Sequence, residues 1–175
     1  MRIFVANTYV PLTPDPLDTL AAHLSTALNA RGHTAERVRI PFAPELAEML
    51  EQMLALRLTE VSDVGDLMIA VGAPAHLLRH QRKVLWLSRC DETCGTWVDA
   101  DWELPLDQQG RLLREAGIAA DRLAFGEARR FFAVSTEVCQ SALRLSGVAP
   151  ESLRPPATNA VSGEAWTAVV ERLVQ

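Results

Sequence analysis

The residues able to act as nucleophiles, bases or metal ligands are few and scattered. Ser88 and Cys90 follow an apolar run, but either would need a base beside it to attack a substrate. The four histidines, His23, His33, His76 and His80, all fall in other segments, so no Ser or Cys triad is expected. Cys90 and Cys94 stand near Asp91, Glu92, Asp99 and Asp101. A Cys-x3-Cys spacing without a second Cys or His pair is a poor tetrahedral zinc set, and this stretch reads as a polar surface loop. His33 follows Gly32 and reads as a turn residue, while His76, Arg79, His80, Arg82 and Lys83 read as a local basic loop near the strand ends. The residues therefore assign no catalytic group, no metal and no cofactor.

The other chemistry open to the chain is anion binding at a helix N-terminus, where free N–H groups and the positive end of the helix dipole converge. The first such loop reads Val10-Pro11-Leu12-Thr13-Pro14-Asp15-Pro16-Leu17-Asp18, without glycine. Glycine there would let a phosphate approach the backbone. Asp15 is placed as an N-cap before Pro16 at the first helical position, so the cap fills the site itself. A pyrophosphate would also meet Asp15 and Asp18, and one like charge at ~5 Å costs about 3 kcal/mol at an effective dielectric of ~20.

Positioning these residues falls to elements that the apolar pattern marks out. Residues 2–6 are a short β-branched and aromatic run, and Leu17, Leu20, Ala21, Leu24 and Leu28 then recur at helical spacing until Arg31-Gly32. Residues 34–40 predict a second strand near a sheet edge, closed by Pro41. The run 44–58 lacks glycine and interior proline and predicts a long helix with a Met and Leu core face. Residues 67–71 and 83–87 are continuous apolar runs of strand length, as in strands covered on both faces. A helical composition spans 106–130 with a break expected near Gly117, then 131–134 predicts a strand and Ser135 caps a helix reaching Ser146-Gly147. Pro150 and the pair Pro155-Pro156 punctuate a loop. Ser162 can cap a last helix that places Trp166, Val169, Val170 and Leu173 on one face.

Alternating strands and helices specify a single α/β, Rossmann-like domain with a parallel sheet flanked by helices. Ligands of such sheets bind at the carboxyl ends of the strands, so Thr8, Tyr9, Ser88, Arg89 and Ser135 would rim any cleft. Composition bounds the partners. The chain has 175 residues, 49% hydrophobic and 22% charged, with a net charge of −5 and only 17 Lys and Arg, which fits one globular domain and argues against nucleic acid as a partner. No window is apolar enough for a membrane span, and the opening run is too short for a signal peptide. A cytoplasmic location with the three cysteines as thiols is expected.

Three stretches, in order, resemble the N-terminal, acceptor-side domain of family 4 retaining glycosyltransferases, whose GT-B fold pairs two Rossmann-like domains. The first is Met1-Arg2-Ile3-Phe4-Val5-Ala6-Asn7-Thr8-Tyr9-Val10-Pro11-Leu12 with the helix that ends Ala30-Arg31-Gly32-His33-Thr34. The second is Lys83-Val84-Leu85-Trp86-Leu87, similar to the strand that delivers a histidine-containing loop in many members. The third runs from Glu127-Ala128-Arg129-Arg130-Phe131-Phe132-Ala133-Val134-Ser135 to Pro155-Pro156. The resemblance covers 1–156 and implies half of a GT-B fold. In the family the diproline-like segment leads into the donor-binding domain, after which a C-terminal helix returns to the first domain. Here 162–173 resembles that returning helix and follows Pro156 almost directly, as if the donor domain had been lost internally. Domain 1–156 with a linker and docked helix, 157–175, is the expected organisation.

This chain departs from the family twice, in the glycine-free first loop and in Leu87-Ser88-Arg89-Cys90, which lacks the histidine. The chain is thus expected to be too small and too poor in reactive groups for a complete enzyme. Three functions remain open: a glycosyltransferase-like protein without autonomous sugar transfer, partnering another glycosyltransferase chain or itself; the acceptor-binding subunit of a split glycosyltransferase; or a small-ligand-binding Rossmann-like protein.

Overall fold

The apolar runs form one six-stranded, all-parallel sheet with strand order β2-β1-β3-β4-β5-β6. The computed structural model describes residues 1–43, 45, 47–93, 95, 96, 107–157 and 163–175. The strands are β1 (Arg2–Tyr9), β2 (Thr34–Pro41), β3 (Leu67–Val71), β4 (Lys83–Leu87), β5 (Arg130–Ala133) and β6 (Glu151–Ser152). Among the described residues the α-helices are α1 (Pro16–Ala30), α2 (Met49–Leu58), α3 (Gln108–Gly126), α4 (Thr136–Ser146) and α5 (Gly163–Val174), with a 3₁₀ turn at Ala75–Leu77. β3 and β4 are buried at every position, as their unbroken apolar runs require, and β2 lies at the edge. None of the described helices is long and apolar enough to cross a membrane.

The chain moves one way across the sheet from β1 to β2 and the other way from β3 to β6. Right-handed crossovers then demand helices on opposite faces. Accordingly, α1 covers Ile3, Val5, Ile69, Val71 and Trp86 on one face, while α2, α3 and α4 cover Phe4, Ala6, Met68, Ala70, Leu85 and Leu87 on the other. α5 returns to the α1 face. Its Trp166, Val169, Val170 and Leu173 are buried there. The Trp166 ring stands edge-on to Trp86 at 6.2 Å, and Trp86 Nε1 donates to the Leu153 carbonyl at 2.8 Å. Arg130 donates to the Arg172 carbonyl at 2.7 Å, tying β5 to the end of α5.

Four expectations need amendment. α3 runs unbroken through Gly117 and stops at Gly126, and Arg130 opens β5. Gly117 lies on the buried face with Leu113, Ala124 and Phe125. The packing of that face outweighs the roughly 1 kcal/mol by which glycine disfavours a helix. The expected start of this helix at 106 lies outside the described residues, as does the proposed cap Ser162. α2 begins at Met49, with Pro44 and Leu46 also outside, and only part of its apolar set is core: Met49, Met53 and Leu56 are buried, whereas Leu50, Leu54 and Leu58 are exposed. The prolines around 150–156 predict only loop, yet β6 forms there. Its two residues pair with Phe132 and Ala133.

Candidate functional site

The order of the sheet reverses between β1 and β3, and the segments that follow these strands leave toward opposite faces. That divergence makes the crevice at their carboxyl ends the natural ligand site of the fold. Asp15 caps α1, its Oδ1 accepting from the Leu17 amide at 2.8 Å, with proline in the first turn as the sequence predicts. Other side chains of the chain meet at the same place. Leu17 lies so close to Gly72 that a Cβ there would overlap the Leu17 side chain. Asn7 is fully buried and donates from Nδ2 to Asp18 Oδ1 at 3.1 Å and to the Thr8 carbonyl at 3.1 Å. Arg39 Nε donates to Asp18 Oδ1 at 2.7 Å, and Arg37 Nη1 lies 3.4 Å from Asp18 Oδ2. Desolvation pushes the Asp18 carboxyl up, but the Asn7 hydrogen bond and the two guanidinium charges outweigh it and hold the group below the ordinary aspartate value.

This geometry corrects the electrostatic expectation for the loop. Asp18 presents no bare charge to a phosphate, because two arginines of β2 already balance it. Leu17, packed against Gly72, the buried Asn7 and the partly exposed Asp18 cluster stand side by side at the start of α1. Above it, Thr13 N donates to the Val10 carbonyl at 3.2 Å and closes a turn in which Leu12 takes φ 64°. Leucine in the left-handed region is strained by on the order of 1 kcal/mol, and the Leu12 side chain is wholly in solvent.

The five rim residues are spread across the sheet. Thr8 and Tyr9 end β1, Ser88 and Arg89 follow β4, and Ser135 follows β5. With strands about 4.8 Å apart, Thr8 and Ser135 are separated by three strand spacings. Thr8, Tyr9 and Ser135 are engaged within the fold. Thr8 Oγ1 donates to the Ala73 carbonyl at 3.3 Å, the Tyr9 ring lies under the Arg39 guanidinium at 4.1 Å, and Ser135 Oγ accepts from the Val138 amide as the N-cap of α4. Ser88 is half-buried and Arg89 exposed.

The segment read as a basic loop is instead mostly interior. His76 and Lys83 are fully buried, and His80 nearly so. The His76 Nε2 hydrogen bond to Asp121 Oδ1 measures 2.7 Å, and Asp121 also accepts from the Thr96 hydroxyl and the Thr96 amide, each at 2.8 Å. A histidine oriented by a carboxylate is the arrangement of a general base. Here both side chains are sealed from solvent, so the pair binds the 3₁₀ turn, α3 and the segment after β4 together rather than meeting a substrate. Lys83 Nζ donates to the His76 and Leu78 carbonyls and to Glu127 Oε2, at 3.2, 3.2 and 3.3 Å. Burial pulls the Lys83 ammonium below its ordinary value, and the Glu127 charge restores part of the loss. Burial alone would raise the Glu127 carboxyl, but Arg57 and Lys83 together hold it below its usual range. The sequence does not reveal the carboxylate ties, because Asp121 lies 45 residues from His76 and Glu127 lies 44 from Lys83.

Among the described residues no group of three or more His, Cys, Asp or Glu side chains could hold a metal ion. Cys90 is buried and Cys139 half-buried, and burial pushes the Cys139 thiol up. Cys94, Asp99 and Asp101 lie outside the described residues. A shallow depression lined by Arg2, Ile3, Phe4, Thr34, Glu36 and Val64 sits at the amino end of the sheet, away from the crevice. No family model matches the chain, and no curated protein matches it.

Proposed function

We propose that this chain is a glycosyltransferase-like domain of the acceptor-side GT-B type, without autonomous sugar transfer, that serves as a partner or accessory subunit in glycan biosynthesis. The observation that carries this reading is the packing of the chain's own side chains at the start of α1, beside the carboxyl ends of β1 and β3. Leu17 against Gly72 and the Asn7–Asp18–Arg37–Arg39 cluster crowd the first helix start, which favours a loop built for the fold over one built for a nucleotide or phosphate. The ordered resemblance of 1–156 to the family supports the lineage. Residues 157–162 alone separate the diproline from α5, where the family inserts its donor domain. The histidine-free segment after β4 supports the absence of autonomous chemistry.

The test has two arms. In calorimetric titration the chain should bind none of the common UDP-, GDP- or dTDP-sugars, and a dissociation constant below about 100 μM, roughly −5.5 kcal/mol, would overturn the reading. Affinity purification of the tagged protein from its own host should bring down a second glycosyltransferase chain. Recovery of the protein with no such chain, together with saturable binding of another small ligand, would replace this reading by that of a ligand-binding Rossmann-like protein.

A further inference from the structure

The outer surfaces of α2 and α3 carry leucine where a solvent-facing helix ordinarily carries charge. Along α2, Leu50, Leu54 and Leu58 form an i, i+4, i+8 row, 44%, 58% and 67% exposed. Along α3, Leu112 and Leu123, 55% and 59% exposed, bracket Ala116 and Ala119 in a second row. The two helices pack side by side, and Arg57 Nη1 reaches across to Glu127 Oε2 at 2.9 Å. At about 100° per residue, Arg57 and Glu127 each fall between the buried strip of its own element and the leucine row. Both rows therefore border the same groove.

We propose that this groove is an interface between two copies of the chain, packed face to face about a twofold axis. Size favours it. Five of the nine exposed large apolar side chains among the described residues lie here, leaving on the order of 500 Å² of leucine surface, at the upper end of the largest patch a monomer shows. That is more than half of the ~800 Å² each partner gives to a standard interface. Shape favours a second copy in particular. One row carries three leucines, Leu50, Leu54 and Leu58, and the other the small Ala116 and Ala119, so a twofold sets each leucine row against the opposite alanines, the self-complementarity an isologous contact requires. Charge is compatible as well: Glu51 and Glu115 lie at the outer margins of the two rows, outside the apolar centre, as in the rim of an interface.

Sedimentation velocity between 1 and 100 μM tests the proposal. The protein should sediment as a dimer of the 19.2 kDa chain, with a dissociation constant below about 10 μM. Leu54→Glu with Leu123→Glu should weaken association at least about 30-fold, with an unchanged circular dichroism spectrum. A protein that stays monomeric to 100 μM, or a folded double variant that still dimerises, overturns it. Because charge at these positions could affect folding, a second experiment mixes Leu54→Cys and Ala119→Cys proteins under mild oxidation. A peptide-mapped 54-to-119 link between chains is expected, and a dimer without that link places the interface elsewhere and refutes the proposal. Neither readout depends on the nucleotide-sugar titration.

Discussion

Gly72 and Gly95 have nearly the same backbone, φ 73° and 70°, but face different neighbours. A methyl at Gly72 meets the tip of Leu17, whose rotamer can change, whereas a methyl at Gly95 meets Asp121. Asp121 cannot retreat without breaking its bonds to His76 and Thr96. Both alanine variants carry the left-handed strain, about 1 kcal/mol. Gly72→Ala should cost about 1 to 2 kcal/mol in total and Gly95→Ala about 3 to 4, the difference being displacement of a buried, hydrogen-bonded carboxylate. Denaturant unfolding of the two variants measures this, and equal midpoints would show that the Asp121 junction yields freely. At this scale the sequence was least informative. His76 and Lys83 have the residue types of a basic surface loop, and only the fold places Asp121 and Glu127 against them. Asp18 was legible as a carboxylate near a helix start, but not as one balanced by Arg37 and Arg39, because those arginines reach it from another strand.

At the scale of elements, continuous apolar runs gave β3 and β4 directly, and cap chemistry gave both ends of α4, from Ser135 to Gly147. Where packing overrides local propensity, the sequence misleads: Gly117 suggests a break that the burial around it closes. β6 is too short to carry a period, and its pairing follows from the position of β5. α5 has the clearest energetic consequence. Its four apolar side chains cover Trp86 and α1, and burial of each large one is worth roughly 1.5 to 3 kcal/mol. Trp166→Ala removes the edge-on contact with Trp86 and the neighbouring contact with His23, whose ring centre lies 6.5 Å away. Unfolding in denaturant should show a loss of about 3 to 5 kcal/mol, and an unchanged midpoint would mean that α5 contributes little to the stability of the sheet.

At the scale of the molecule, acid lability follows from four carboxylates held below their ordinary values. Glu60 is held there chiefly by its Ser62 hydrogen bond, and Glu151 by those of Arg172 and Arg130. For Asp18 and Glu127, arginine partners and the Asn7 or Lys83 contacts outweigh desolvation. In each case the folded protein binds the proton less tightly than the unfolded chain. The stabilisation is therefore complete above the unfolded carboxylate range and is lost as pH falls through the lower folded values, from roughly pH 5 downward. Lys83 acts at the other end: with its folded value depressed, stability rises as pH climbs from that value toward about 10.4. Calorimetric melting between pH 7 and 2.5 should show a falling Tm below about pH 5, flattened by salt for the exposed pairs. A constant Tm over that range would contradict these assignments.

The return of α5 to the α1 face also has a consequence in time. The face built by Ile3, Val5, Ile69 and Trp86 is synthesised well before Trp166, Val169, Val170 and Leu173. At about 5 to 20 residues per second, the ribosome takes several seconds to extend the chain from β4 to α5. Throughout that interval one side of the nascent sheet is only partly roofed by α1, and the last described helix to emerge is the one that finishes the roof.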